Sequence, residues 1–234
     1  MKENVIAIVP AAGSGKRFSS KTNKAFHNIL GKPVIAWVLE VFQECRLINE
    51  IIPVFSEEDM ERGLELIENR AFSKVKKIAP GGNERQDSVY HALKLIEDVS
   101  STVLIHDGAR PAIDFDIIRR CLDALDKFDG VVSGVPVKDT IKEVRKGVVR
   151  KTLDRNKLIA VQTPQAFRFK TLMQAYENIK GKGICFTDDA AVVEFSGGMV
   201  TFVDGSFSNI KVTTPDDAEI VEIFLKSFRG KNGE

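Results

Sequence analysis

Short apolar runs along the chain alternate with segments in which apolar residues recur every three or four positions. Such runs have the length of buried strands, and the recurring pattern is typical of helices that bury one face. The predicted strands cover residues 5–9, 51–55, 75–78, 103–105, 131–137, 159–161, 199–203 and 210–212. The predicted helices cover residues 34–42, 56–69, 89–96, 117–125, 170–179, 188–195 and 215–225. This alternation predicts an α/β fold, with a mostly parallel twisted sheet and helices on both faces.

Residues 138–153 interrupt this alternation with a strongly charged segment that offers few apolar residues to a core. Lys146 and Gly147 suit a turn between two short strands, which predicts a β-hairpin arm. A two-stranded hairpin is only marginally stable by itself in water. We therefore expect the arm to pack against another surface, for which a second subunit is a candidate. The alternative is that the arm is a solvated, mobile flap.

Composition is consistent with one domain and a short tail. The chain has 234 residues, of which 43% are hydrophobic, enough for a sizeable core. We expect a single domain over residues 1–228 and a disordered tail over 229–234. The formal net charge is only +1, which gives no general reason to expect nucleic acid or an anionic membrane as a partner.

The cysteines and the apolar runs bear on location. Cys45, Cys121 and Cys185 are far apart and form no C-x-x-C pair, which argues for a reducing compartment and against a zinc or disulfide framework. The N-terminal apolar run is too short for a signal peptide, and no run is long enough to span a membrane. We therefore expect a soluble, cytoplasmic protein.

A glycine-containing loop at residues 10–18 follows the first strand. Gly13 and Gly15 let the backbone turn tightly and approach a ligand, since neither carries a Cβ. Bare backbone N–H groups beside Lys16, Arg17 and Lys24 would seat phosphates. This favours a nucleoside triphosphate site, and the alternative is an ordinary strand-to-helix loop.

Two familiar phosphate-binding motifs do not match this loop. A Walker A loop needs glycine where Pro10 stands and a hydroxyl residue where Arg17 stands. The dinucleotide fingerprint needs a third glycine where Phe18 stands. The loop therefore belongs to neither class.

Two further unusual loops, at 80–85 and 106–111, also follow predicted strands. The carboxyl ends of parallel strands meet at one edge of a sheet, and ligands bind in the crevice outside that edge. All three loops should therefore contribute to one site. This convergence is stronger evidence for a site than any single loop.

Asp107 ends an inner strand in this crevice, where a carboxylate is a plausible Mg²⁺ contact. Its alternative role is a helix cap or a salt bridge to Arg110. His106 is a weak candidate for a general base, because an ionised phosphate oxygen needs none. Asp188 and Asp189 follow Thr187, the predicted N-cap of a helix, and the helix dipole is enough to explain them.

Seven segments in order along the chain resemble one family. They are PAAGSGKRF at 10–18, GGNERQDS at 81–88, HDGARP at 106–111, VKDTIK at 137–142, DRN at 154–156, QTPQ at 162–165 and NIKVT at 209–213. The first is shared with many nucleotidyltransferases. Together they resemble the cytidylyltransferase family that acts on 2-C-methyl-D-erythritol 4-phosphate in the non-mevalonate isoprenoid pathway. The resemblance covers residues 5–226.

The resemblance implies a Rossmann-like nucleotidyltransferase fold, a homodimer joined through the arm, and Mg²⁺ or another divalent cation. It implies transfer of a cytidylyl group from CTP to that phosphorylated polyol, with release of pyrophosphate. The implied catalytic residues are Arg17, Lys24, Lys211 and Arg155. The implied nucleotide-binding residues are Ala11, Ala12, Gly13, Gly15, Gly82, Asn83, Ser88 and Asp107. The implied acceptor-binding residues are Asp107, Arg110, Thr140, Arg155 and Thr163, with Asp107 beside the metal.

The chain departs from the family pattern around the catalytic lysine, where Asn23 and Ala25 replace a usual Pro and Gln. Asn83 and Gly108 also replace a usual Asp and a common Ala. The nearest alternatives are a ribitol-5-phosphate cytidylyltransferase or another sugar-phosphate nucleotidyltransferase. An alternative of another class is a nucleotide-binding regulatory module without catalysis.

Overall fold

The structure is a computed structural model that describes residues 4–13, 18 and 23–231. Its strands are β1 Val5–Pro10, β2 Asn28–Ile29, β3 Lys32–Pro33, β4 Glu50–Phe55, β5 Ala79–Pro80, β6 Thr102–Ile105, β7 Gly130–Pro136, β8 Lys142–Arg145, β9 Val148–Thr152, β10 Ile159–Arg168 and β11 Val200–Asp204. Its α-helices are α1 Val34–Glu44, α2 Met60–Asn69, α3 Arg85–Leu93, α4 Phe115–Ala124, α5 Phe169–Ile179, α6 Asp189–Phe195 and α7 Pro215–Lys231. Helix α7 thus extends beyond residue 229, where we expected the tail to begin.

A seven-stranded sheet forms the centre, in the order β11-β7-β10-β6-β1-β4-β5. Strand β1 pairs in parallel with β4 and β6, and β11 pairs in parallel with β7. Strand β10 runs antiparallel to both β6 and β7. The predicted fold class, a mostly parallel sheet between helices, is therefore confirmed.

The two faces of β1 show why the helices lie on both sides of the sheet. Val5, Ala7 and Val9 pack in a core with α1 and α4, whereas Ile6 and Ile8 pack in a core with α3, α5 and α6. Successive side chains of a strand point to opposite faces, so a continuously apolar strand needs a helical layer on each side.

Pro53 lies in β4, next to the short edge strand β5. The Ile51 N–H, two residues earlier, donates to the Lys74 carbonyl on the outer side. Pro53 faces that same side, and β5 pairs only with Val54 and Phe55. The missing N–H of Pro53 therefore costs no ladder bond.

Four local predictions were wrong. Instead of a strand over 75–78, the structure has one isolated bridge between Val75 and Ile51, and the short strand β5 follows at Ala79–Pro80. Residues 210–212 form no strand, and Val212 instead donates its N–H to the Ala109 carbonyl. Asp188, not Thr187, caps α6 by accepting from the Ala191 N–H. Strand β10 continues to Arg168 and does not end at 161, because the buried polar residues Gln162, Thr163 and Gln165 interrupt its apolar pattern before Ala166 and Phe167 resume it.

The predicted arm forms as β8 and β9, a separate two-stranded sheet. Lys146 and Gly147 have φ values of 50° and 76°, the left-handed conformation of a tight hairpin turn. Every residue of both strands is exposed, including Val144, Val148 and Val149.

Within the described residues, no helix has the length and apolar character needed to cross a membrane.

Candidate functional site

A cleft of about 100 Å³ opens at the sheet edge where β1 and β6 end. It is lined by Pro10, Ala11, Ala12, Gly13, Asn23, Lys24, Ala25, Arg85, Ser88, Asp107, Ala109 and Lys211. The lining thus draws on all three loops that follow parallel strands. The predicted convergence of these loops on one crevice is confirmed for their described residues.

Backbone hydrogen bonds fix the loops against one another. The Ala11 N–H donates to the Val54 carbonyl at 2.9 Å, and the Gly108 N–H donates to the Pro10 carbonyl at 3.0 Å. A Cβ added at Gly81 would lie 2.5 Å from the Cβ of Ala12. Only glycine allows this approach, so the slot between the first two loops is narrow.

Asp107 is the centre of the charged part of the cleft. Its carboxylate lies 2.7 Å from Lys211 Nζ, 3.3 Å from Arg85 Nε and 3.7 Å from Arg110 Nε. Burial alone would raise the pKa of Asp107, but these three cations outweigh burial and hold the pKa well below its usual range. Asp107 is therefore ionised at neutral pH.

Among the described residues that line the cleft, cations outnumber carboxylates: Lys24, Arg85 and Lys211 stand against Asp107. Lys24 begins a single turn of 3₁₀-helix, Lys24–Phe26, whose next two residues are buried. Loop backbone also lines this cleft. Its excess of positive charge suits a polyanion such as a triphosphate.

Arg85 was not among the site residues predicted from the sequence. Its guanidinium bridges Asp107 and Asp189, with Nη2 donating to Asp189 Oδ2 at 2.7 Å. Tyr176 donates its hydroxyl to the other oxygen of Asp189 at 2.6 Å. Burial opposes the charged form of Arg85, but the two carboxylates more than offset it and raise its pKa. Asp189 is completely buried, so it does much more than favour a helix dipole.

Other predicted site residues lie beside the cleft. Thr163 accepts from the Asp107 N–H at 3.0 Å, and Arg110 donates to the Asn209 carbonyl at 2.7 Å. The Ser88 hydroxyl accepts from the Gly82 N–H at 3.0 Å and so fixes the second loop. Neither Gly82 nor Asn83 lines the cleft, and Asn83 is exposed.

Two further predicted residues lie away from the cleft lining, and another two cannot be placed in the described part of the chain. Thr140 and Arg155 are exposed near the base of the arm and do not line the cleft of their own chain. Arg155 donates to the Lys138 carbonyl at 2.7 Å. Gly15 and Arg17 lie outside the described residues.

A larger cleft of about 420 Å³ lies beyond α3, lined by Tyr90, Tyr176, Lys180 and their neighbours. It is lined by α3, the end of α5 and the segment that follows α5, and Lys180 is the only Lys or Arg among its described lining residues. Volume alone is a poor guide to the site here, because the groups that suit phosphate chemistry converge on the smaller cleft.

His106 is completely buried beside the cleft and holds the third loop together. Its Nε2 lies 3.0 Å from the Arg110 carbonyl, and its Nδ1 lies 3.1 Å from the Thr163 hydroxyl. Because a carbonyl can only accept, Nε2 carries the proton and Nδ1 accepts from Thr163. Burial lowers the pKa of His106 to about 4, so the ring is neutral at pH 7. These contacts agree with its dismissal as a general base.

His106 should make the free energy of unfolding depend on pH. The pKa of His106 is about 4 in the folded protein and about 6.5 in the unfolded chain. Between these values the unfolded state binds more protons, so lowering the pH from about 6.5 to about 4 should cost about 3 kcal/mol. Urea unfolding of wild type and His106→Gln at several pH values tests this, and the variant should lose less. Equal losses in both proteins would contradict it.

Comparison with known protein sequences finds one matching family. The family model described as "IspD: 2-C-methyl-D-erythritol 4-phosphate cytidylyltransferase" matches residues 5–227. The chain is 44% identical to the cytidylyltransferase of that name from Clostridium acetobutylicum, over 94% of this chain and 96% of the relative.

Comparison with solved structures leads to the same family. The 4-diphosphocytidyl-2C-methyl-D-erythritol synthase of Anaerococcus prevotii superposes with a TM-score of 0.84 at 29% identity, covering 97% of this chain and 100% of that chain. The 2-C-methyl-D-erythritol 4-phosphate cytidylyltransferase of Thermus thermophilus gives 0.77 at 26% identity, covering 94% and 98%. With cleft charges that suit a polyanion and a match along nearly its whole length, the chain belongs to the 2-C-methyl-D-erythritol 4-phosphate cytidylyltransferase family.

Proposed function

We propose how the cleft performs the activity of this family, the CTP-dependent transfer of a cytidylyl group to 2-C-methyl-D-erythritol 4-phosphate in isoprenoid biosynthesis. The triphosphate of CTP lies over the first loop, with its α-phosphate against Lys24 and Lys211. The observation that carries this proposal is the convergence of Lys24, Arg85 and Lys211 around Asp107 at the ends of β1 and β6.

The reaction needs no group of the protein to form a covalent bond. A phosphate oxygen of the acceptor attacks the α-phosphorus in line, and the bond to the β-phosphate oxygen breaks to release pyrophosphate. Lys24 and Arg17 stabilise the charge that builds on the α-phosphate, and Lys211 holds the reacting groups in place. Positioning and charge stabilisation then supply most of the rate enhancement.

The narrow slot between the first two loops selects the base. Ala11, Ala12 and Gly13 line one side of it and Ser88 lines the other. We assign Gly82 and Asn83, which lie outside the lining, to the backbone contacts with cytosine. The close approach of Gly81 to Ala12 supports a slot that admits a pyrimidine and excludes a purine by size. Recognition there rests largely on backbone groups, so the change from Asp to Asn83 matters little.

The acceptor binds beside the charged centre, on Asp107, Arg110 and Thr163. Thr140 and Arg155 are exposed and do not line the cleft of their own chain. We therefore assign them to the acceptor site of a second copy, reached through the arm.

A divalent cation fits the site as one held mainly by the phosphates. Among the described residues, no group of three or more His, Cys, Asp or Glu side chains could hold a metal. Asp107 is ionised and lines the cleft, and Mg²⁺ commonly binds through a single carboxylate together with substrate phosphates. When bound, the metal would supply charge neutralisation of the triphosphate and its leaving group.

A reducing, cytoplasmic setting is supported by the free thiols of Cys45, Cys121 and Cys185.

Deleting the arm should abolish both the dimer and the activity. A variant lacking residues 138–153 should sediment as a monomer and lose transfer to the acceptor, because no second copy supplies Thr140 and Arg155. The double variant Val144→Asp/Val149→Asp tests the same point with the chain intact, since these residues pair across the hairpin and are each 56% exposed.

The matched control for the arm is Val99→Asp, which changes a valine that is 52% exposed outside the arm. It should leave both sedimentation and turnover unchanged. A deletion variant that stays dimeric and fully active would defeat the assignment of the arm.

The activity itself is tested by pyrophosphate release over a matrix of nucleotides and acceptors. CTP with 2-C-methyl-D-erythritol 4-phosphate should be the productive pair, and UTP, GTP and ATP should give little turnover. Turnover with ribitol 5-phosphate in its place would favour the ribitol-5-phosphate alternative. No pyrophosphate with any acceptor would favour a regulatory nucleotide-binding module.

A further inference from the structure

The side chain of Asn23, directly before Lys24, joins the Lys24 segment to the rest of the cleft. Asn23 Oδ1 accepts from the Ala25 N–H at 3.0 Å and so caps the 3₁₀-turn that begins at Lys24. Its Nδ2 donates to the Ala11 carbonyl and to Asp59 Oδ2, each at 2.7 Å. One amide thus connects Lys24 to the end of β1 and to the segment after β4.

Asp59 is a firm anchor for this amide. It also accepts from the Ser56 hydroxyl at 2.9 Å, and Ser56 directly follows β4. The first residue of α2 comes next, and α2 packs so tightly on β4 that a Cβ at Gly63 would clash with the ring of Phe55. The carboxylate that holds Asn23 is therefore fixed to the sheet rather than to a loose loop.

The chain after Lys24 is anchored separately. Phe26 is buried, its ring lies 5.7 Å from that of Phe55, and its carbonyl accepts from Arg62 Nη2 at 3.3 Å. These contacts locate the end of the turn. The start of the turn, from which the Lys24 side chain projects into the cleft, depends on Asn23 for its cap and its attachment to β1.

We propose that Asn23 is a positioning residue for Lys24, acting through its hydrogen bonds to Ala11, Ala25 and Asp59. The proposal rests on the function proposed above for Lys24. Asn23 itself holds the lysine where its ammonium group meets the α-phosphate, so loss of the amide misplaces the charge without removing it.

The first test is a double-mutant cycle on kcat. Asn23→Ala should lower kcat about 10–100-fold, the effect expected of a small misplacement of a catalytic group, with KM for CTP changed less than about twofold. In the Lys24→Ala background, Asn23→Ala should cost no further rate, because a positioning residue has nothing left to position.

A merely structural role would give the opposite result in that cycle. A general loss of folded protein would lower the rate of both backgrounds by the same factor, and this additivity would overturn the proposal. The thermal midpoint of Asn23→Ala should fall by only about 2–4 °C, as for a lost cap in a chain of this size. The matched control is Asn28→Ala, an exposed asparagine four residues beyond Lys24, which should keep wild-type kcat.

Exchange of the pair provides a rescue. Asn23→Asp should be at least as slow as Asn23→Ala, because it sets two carboxylates against each other and removes both donated bonds. Adding Asp59→Asn restores a donor across the pair, so the double variant should have a higher kcat than Asn23→Asp alone. No recovery in the double variant would contradict the proposal.

The outcomes separate this proposal from the function on which it rests. Normal kcat in Asn23→Ala, together with a large loss in Lys24→Ala, would overturn the positioning role and leave the role of Lys24 intact. Normal kcat in Lys24→Ala would overturn both.

Discussion

Lys24→Ala should lower kcat by about 10²–10³, the usual cost of losing one group that stabilises transition-state charge. Lys24 lines the cleft beside Lys211 and Asp107, and its neighbour Ala25 is buried. The effect should therefore fall on the chemical step rather than on folding. Single-turnover pyrophosphate release at saturating CTP measures it directly.

The matched control for Lys24 is Lys226→Ala, which removes an exposed lysine paired with Glu222 on α7. It should keep wild-type turnover, because exposed ion pairs of this kind contribute little. A Lys24→Ala protein with near-normal kcat would contradict the assignment of Lys24 as the residue that stabilises the α-phosphate.

Arg85→Ala should strongly destabilise the folded protein. It removes the cation that faces Asp189, whose side chain is completely buried, and leaves that carboxylate uncompensated. Breaking a buried pair from one side costs about 3–5 kcal/mol of unfolding free energy. Urea unfolding at pH 7 measures the loss, and activity should also fall because Asp107 loses one of its partners.

Two further variants identify the cause of that loss. Arg85→Ala/Asp189→Asn should regain part of the stability, since it removes the unpaired charge. Arg119→Ala breaks an exposed pair with Asp116 and should cost less than about 1 kcal/mol. A double variant no more stable than Arg85→Ala would show that the buried charge is not the source of the effect.

The sequence predicted the position of the site better than its electrostatics. Apolar strands followed by unusual loops were enough to bring residues 10–13, 81–88 and 106–110 to one edge, because parallel strands end together. It did not predict that Asp189 faces Arg85 through the protein interior. Helix periodicity shows which face of a helix is apolar. It does not show that the buried carboxylate of Asp189 is stabilised by Arg85, which lies 104 positions away in the chain.

Strand β10 was missed in part for a similar reason. Gln162, Thr163 and Gln165 resemble a polar loop, yet all three are buried in the sheet. The Gln165 amide donates to Asp188 and accepts from the Ala190 N–H, so distant groups satisfy it. The opposite error occurred at residues 210–212, where two apolar residues suggested a strand, although only Val212 is buried among them.

In the proposed mechanism the cleft works by positioning and charge alone, with no covalent link between protein and nucleotide. The stereochemical course at the α-phosphorus tests this most directly, using CTP that carries one sulfur at that phosphorus in a single configuration. A single in-line displacement by the acceptor phosphate predicts inversion of that configuration in the product. Retention would require two displacements through a cytidylylated residue of the protein, and would contradict the mechanism.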